Sequence, residues 1–136
     1  MSSDEKQMSL AGHRLDQAEQ SLEEARYLME GGKSFRSVVN RIYHGMFYAV
    51  LALLIYEPYS SSKHTGVLSY FNRNFVKSGI FPESLGRHLN KAFELRQRGD
   101  YREYFELTKE QVEPLLGEAK EFINAIRAYL NDNSKV

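Results

Sequence analysis

Residues 34–56 constrain this chain more than any other segment. Val39, Ile42, Tyr43, Met46, Phe47, Val50, Leu53 and Leu54 fall at helical spacing and cover more than a third of a helix's circumference. A helix with so wide an apolar face needs other helices on several of its sides. The segment therefore predicts the central member of an all-α antiparallel up-and-down bundle.

The flanking segments supply the partners. Residues 8–30 carry a narrow stripe of Ala11, Leu15, Ala18, Leu22, Ala25 and Met29, one amphipathic helix. Gly31 and Gly32 end it and Ser34 caps the next, a turn so short that the two helices must be antiparallel neighbours. Glu57-Pro58, Tyr59 and the Ser60-Ser61-Ser62 run break the central helix and read as the loop expected to move most. A shorter helix over residues 63–77 buries Val67, Leu68, Phe71 and either Phe75 or Val76, and Ser78-Gly79 ends it. Phe81-Pro82-Glu83 restarts helix, which Leu85, Leu89, Ala92 and Phe93 carry to about Arg98, with Gly99-Asp100 closing it.

Residues 100–107 read either as a turn of helix or as an ordered loop. Thr108 and Gln111 form a capping box that opens the last helix, which runs to about Leu130 through Val112, Leu115, Leu116, Ala119, Phe122, Ile123, Ile126 and Tyr129. Pro114, inside it, is expected to kink it. No stretch alternates with period two for long enough to make a sheet, and no repeat is visible. The expectation is one domain over residues 8–131 built from four to five helices.

Composition narrows function mainly by exclusion. Eighteen basic residues balance eighteen acidic ones, so no bulk field holds a nucleic acid and any phosphate contact must come from a local cluster. The absence of cysteine removes disulfides, thiolate metal sites and cysteine nucleophiles. A polar N-terminus, and a longest apolar run far short of the roughly 20 residues of a membrane span, lead us to expect a cytoplasmic protein with no membrane segment. The four histidines show no close pairing and no Glu-x-x-His partner, so no metal site is expected, and no cofactor either. Phosphate-binding glycine loops and serine nucleophile elbows are absent.

Some residues are not explained by a core. At about 100° per residue, Ser37, Arg41, His44, Gly45, Tyr48 and Ala52 share the second face of the central helix. Gly45 costs a helix about 1 kcal/mol relative to alanine, which implies that something approaches its backbone closely. That face is either a seam against another helix, within the bundle or across a dimer, or a groove presenting Arg41, His44 and Tyr48 to a ligand. Arg96 lies in register with Leu85, Leu89 and Phe93 and is aimed along a buried stripe. It needs a partner there, because arginine does not shed its proton. Asp100 and the phenol of Tyr101 are the nearest in sequence, and the choice is between an ion pair and an anion-binding fork. His64 follows Lys63 at a helix start, where exposed N–H groups favour anions. His13 and His88, beside Arg14 and Arg87, read as solvated.

These residues resemble the HEPN superfamily, small helical proteins of bacteria and archaea often encoded beside a minimal nucleotidyltransferase. The likeness covers about residues 15–130 and is carried by the stretch from Ser37 to Ala49, SVVNRIYHGMFYA. It is supported by His64 with Gly66-Val67, by Phe71 with Phe75-Val76-Lys77, and by Leu95-Arg96 followed by Asp100-Tyr101. The resemblance implies a dimer with a basic and aromatic cleft at its interface. Ribonuclease members carry an arginine followed, after four to six residues, by a histidine. Arg96 stands at the arginine position here, but Asp100 and Tyr101 follow where the histidine belongs, removing the group expected to manage protons at a 2′-hydroxyl.

The leading expectation is a HEPN protein of a two-component, toxin–antitoxin-like module. It would be a homodimer that binds a nucleotide, RNA or a nucleotidyltransferase partner through Arg41, His44, Tyr48, His64, Arg96, Asp100 and Tyr101, without catalysis. The alternatives are a metal-independent ribonuclease toxin, in which His44 or His64 replaces the absent histidine, and a purely structural dimeric subunit.

Overall fold

The computed structural model describes residues 2–101 and 106–136, the side chain of Tyr101 excepted. Among the described residues there are five α-helices and no strand: α1 (Ser3–Glu30), α2 (Phe35–Leu54), α3 (His64–Phe71), α4 (Glu83–Tyr101) and α5 (Lys109–Asp132). Only a π turn over Asn72–Val76 interrupts the pattern, prolonging α3. The fold is the expected all-α bundle. α2 lies at its centre against α1, α4 and α5, and it buries Val38, Val39, Ile42, Tyr43, Met46, Ala49, Val50, Leu53 and Leu54. By length and composition α2 also suffices to cross a membrane, but 67% of that window is buried inside the bundle, where its apolar surface meets other helices.

Local chemistry explains the helix ends. Ser2 caps α1, which therefore starts at Ser3, five residues before the expected start at residue 8. At the other end Gly32, at φ 66°, takes the left-handed position, with Lys33 N–H donating to the Leu28 carbonyl, the bond that closes a helix C-terminus. Ser34 accepts from the Ser37 N–H to open α2. Both halves of the Thr108–Gln111 capping box are made, and α5 continues through Pro114.

The π turn has its own cause. Asn72 and Asn74 donate their side-chain amides to the Leu68 and Tyr70 carbonyls, competing with the backbone donors that an α-helix would send there. Lys77 N–H then reaches back five residues to the Asn72 carbonyl. Gly86 of α4 lets α3 come close, since a Cβ there would lie 2.5 Å from Asn72 Oδ1.

One expectation needs correction. Gly99 and Asp100 do not end the fourth helix, which runs on to Tyr101. Gly99 serves close approach instead: a Cβ would sit 3.1 Å from Leu107 and 3.4 Å from Arg36. The 55–63 loop is tied down. Tyr59 stacks on Tyr70 at 4.4 Å, the Tyr70 hydroxyl donates to Glu57 Oε1, and Gly66 makes room for the Tyr59 hydroxyl.

Candidate functional site

The second face of α2 serves two purposes. Gly45 and Ala52 are buried, and a Cβ on Gly45 would lie 3.1 Å from the Ala18 carbonyl oxygen and 3.6 Å from Ser21 Cβ. Gly45 is therefore the point at which α1 and α2 touch inside one bundle. The same face leaves Arg41, His44 and Tyr48 half-buried, open to solvent on one side.

α3 and α4 complete the arrangement. His64, the first residue of α3, stacks on Phe47 at 4.1 Å with an interplanar angle of 15°. Its Nδ1 lies 2.8 Å from the hydroxyl of Tyr43. Tyr43 is fully buried, and its proton has no other acceptor among the described residues. The phenol therefore donates to Nδ1, which leaves the His64 proton on Nε2. His44 Nδ1 lies 2.8 Å from the Asn40 carbonyl, an acceptor only, so this nitrogen carries the proton and Nε2 is a free acceptor. The two imidazoles stand edge to face at 6.4 Å, and the Tyr48 ring lies 6.5 Å from His44.

α4 contributes Phe93, 5.5 Å from the Tyr43 ring, and Arg96, whose guanidinium carbon lies 5.2 Å from the same ring centroid, a cation–π contact. Arg96 and Asp100 form the ion pair anticipated from their spacing, Nε to Oδ2 at 3.6 Å, with side chains 20% and 25% exposed. That distance is beyond hydrogen bonding, and the buried Nε has no hydrogen-bond partner. Asp100 also lines a 420 Å³ recess with Arg36, Ser37, Asn40 and Arg41, so the carboxylate that pairs with Arg96 also borders the recess that Arg41 lines. Arg41 takes the Asn40 side chain at 3.1 Å and reaches Glu24 at 3.9 Å, a long and half-exposed pair worth little energy.

The electrostatics follow from these positions. Burial pushes the His44 pKa down, the Asn40 carbonyl opposes this, Arg41 and Arg96 lower it further, and Asp100 works against them. His64 is lowered by burial, then by Arg96 and by His44. Burial raises the Tyr43 phenol, with Arg96 opposing. Both imidazoles are thus held neutral beside two permanent cations. Guanidinium forks and the His64 Nε2–H are donors of the kind that suit an anion such as phosphate.

Of the residues singled out in the sequence, Arg41, His44, Tyr48, His64, Arg96 and Asp100 come together at this corner of the bundle, while the Tyr101 side chain lies outside the described residues. Sequence reasoning placed Tyr43, Phe47 and Phe93 in the core and passed over Asn40 and Arg36. The signal for Tyr43 was its hydroxyl, which a buried position obliges to find a partner. His88 is not solvated as expected: its Nε2 lies 3.7 Å from Glu118 of α5, with the side chains 22% and 20% exposed. No group of three metal-ligating side chains occurs among the described residues.

The HEPN domain family matches residues 11–129. The chain is 42% identical over 115 residues to a Thermotoga maritima UPF0332 protein, a match covering 85% of this chain and 86% of that one. Two Methanocaldococcus jannaschii proteins, each bearing the name "Putative toxin", are 35% identical over 130 residues, covering 89% and 88%, and 34% identical over 115 residues, covering 85% and 84%. With the signature of α2 in place and the family matched over most of its length, the chain belongs to the HEPN domain family.

Proposed function

We propose that this protein is the HEPN component of a two-component, toxin–antitoxin-like module. In this reading it works as a dimer, binds the phosphate of a nucleotide or RNA through Arg41 and Arg96, and pairs with a minimal nucleotidyltransferase without itself cleaving RNA. The observation that carries the reading is Asp100, which pairs with Arg96 and lines one recess with Arg41, next to the facing imidazoles of His44 and His64. A carboxylate already occupies the position that suits an anion, and the Arg96 fork is not saturated by it. The relatives named as toxins support the module, and the missing motif histidine speaks against catalysis.

Calorimetry with nucleoside mono- and triphosphates tests the binding. Saturable heats that vanish in Arg41→Ala/Arg96→Ala are expected, and identical heats for wild type and variant would remove these residues from the role. Light scattering tests the dimer, for which a single species of twice the chain mass is expected.

A ribonuclease reading has one specific observation in its favour, the two imidazoles at 6.4 Å. Cleavage would need one to take the proton of a 2′-hydroxyl as that oxygen bonds to phosphorus, and the other to protonate the departing 5′-oxygen. Both histidines are pushed toward the neutral form, which suits the base and starves the acid. Incubation of metal-free protein with transfer RNA decides it: intact RNA at high protein concentration ends this reading, and so does cleavage that persists unchanged in Arg96→Ala.

A further inference from the structure

A second feature lies further along α2, beyond the imidazoles. His44, Tyr48, Leu51 and Ile55 follow one line of the helix and its C-cap. Past Tyr48 that line turns apolar and borders an open pocket of about 180 Å³, roughly 10 Å from His44 along the helix. Leu54 and Val67 are buried beneath it. Leu10 of α1, Leu51, Ile55 and Tyr59 form its sides, and Leu10 is 46% exposed. Arg14 of α1 completes the lining with Ser60 and Ser61.

The pocket is held in shape from all sides. Gln7 of α1 donates its side-chain amide to the Ile55 carbonyl at 3.3 Å, which fixes this edge of α1 against the end of α2. Tyr59 is held by its stack on Tyr70, and Ser61 Oγ accepts from the Lys63 N–H at 3.1 Å. A recess already formed spares an occupant the cost of ordering it. Its charge is one-sided. Arg14 is half-buried; its Nη1 donates to Gln17 Oε1 at 2.9 Å, and among the described residues it makes no ion pair. At about 100° per residue, the edge of α1 that carries Gln7, Leu10 and Arg14 also holds Lys6 and Gln17, and no carboxylate from Ser3 to Gln17. Glu57, on the adjoining loop, is engaged by the Tyr70 hydroxyl. A half-buried guanidinium beside an apolar recess thus stands without an anion to answer it.

We propose that this pocket is the docking seat for an acidic amphipathic segment of a partner protein, which places one apolar side chain between Leu10, Leu51 and Ile55 and pairs an adjacent aspartate or glutamate with Arg14. The size sets the anchor: a dry cavity of about 150 Å³ takes a benzene molecule, so this one takes a single leucine- or phenylalanine-sized group. A free acid of that size leaves the outer faces of Leu10 and Ile55 in water, whereas a protein segment covers them. One buried anchor beside a charged rim is the pattern of an interface hot spot. The seat stands apart from the phosphate corner, and either can fail without the other.

A phage-displayed library of random sixteen-residue peptides is selected on the full chain, and the strongest binder is synthesised and titrated by fluorescence anisotropy and methyl NMR. The peptide is expected to carry a leucine, isoleucine or phenylalanine with an acidic residue within one helical turn, and to shift the methyl signals of Leu10, Leu51 and Leu54. Arg14→Glu is expected to weaken it at least about tenfold, and a copy of the peptide with lysine in place of its acids is expected to prefer that variant to the wild type. Leu10→Ser weakens both peptides. Both substitutions lie at the surface of α1, and a matching thermal melt verifies that the fold is kept. Absence of any enriched peptide overturns the proposal, as does a binder that ignores Arg14→Glu or shifts methyl groups elsewhere. Light scattering covers the remaining occupant: if either variant lowers the mass of the assembly, a second copy of this chain fills the seat and the acidic partner is ruled out.

Discussion

The hydroxyl of Tyr43 and Nδ1 of His64, contributed by α2 and α3, stand 2.8 Å apart, and the Arg96 guanidinium lies over the same phenol ring. One bond joins the core to the candidate site and sets which nitrogen of His64 carries the proton. Tyr43→Phe keeps the ring and deletes the bond. It is expected to cost about 1–2 kcal/mol of stability in urea unfolding and, in nitrogen NMR, to turn a single Nε2–H tautomer of His64 into a mixture. An unchanged tautomer would mean that the phenol does not set it.

The neutral imidazoles make stability depend on pH. His44 and His64 are both shifted below the ordinary histidine value by burial and by the neighbouring guanidinium groups. Below about pH 6.5 the unfolded chain therefore takes up protons that the folded chain refuses. Stability is full above that value and falls as the pH drops through it toward the lowered folded-state values. Urea midpoints measured from pH 7.5 to 5 are expected to decline in the wild type and to flatten in His44→Gln/His64→Gln. Equal slopes in the two proteins would contradict the assignment.

How much of this was legible beforehand depended on the range of the interaction. The Thr108–Gln111 box, the Ser34 cap and the apolar stripes of α1, α2 and α5 are local, and they were readable from spacing alone. Arg96–Asp100 was readable too, because four residues on a helix make neighbours. Gly99 misled because a glycine near a helix end looks like a stop, whereas this one makes room for Leu107, beyond the helix end, and for Arg36 of α2, distant in sequence. Tyr43 looked like core, and it is core; its partner is 21 residues away, beyond any pattern of spacing. His88 looked solvated because its partner, Glu118, belongs to another helix. The π turn depends on asparagine amides choosing carbonyls one turn back, a competition that apolar periodicity does not register.

In the proposed reading Asp100 competes with the bound anion for Arg96. Asp100→Asn removes its charge from between Arg96 and the Arg41 recess at little cost in volume. Affinity for a nucleoside monophosphate is expected to rise roughly three- to tenfold, the scale of a half-buried ion pair of about 1 kcal/mol. Calorimetry reads this directly, and a weaker complex would mean that Asp100 helps to hold the ligand.

Gly45 tests the architecture independently of function. Leucine there must fit against the Ala18 carbonyl, already 3.1 Å from a bare Cβ, and against Ile123 at 3.6 Å. Overpacking at the α1–α2 contact is expected to cost roughly 3 kcal/mol or more. An unaltered melting temperature would show that α1 does not press on α2 at this point.

The most direct measurement follows the imidazole resonances of His44 and His64 by NMR while uridine monophosphate is added. If Arg41 and Arg96 hold its phosphate beside the two rings, both sets of signals shift saturably, the histidine pKa values rise as the anion offsets the guanidinium charge, and Arg96→Ala abolishes both effects. Signals that stay in place at saturating nucleotide, or that move identically without Arg96, would contradict the account.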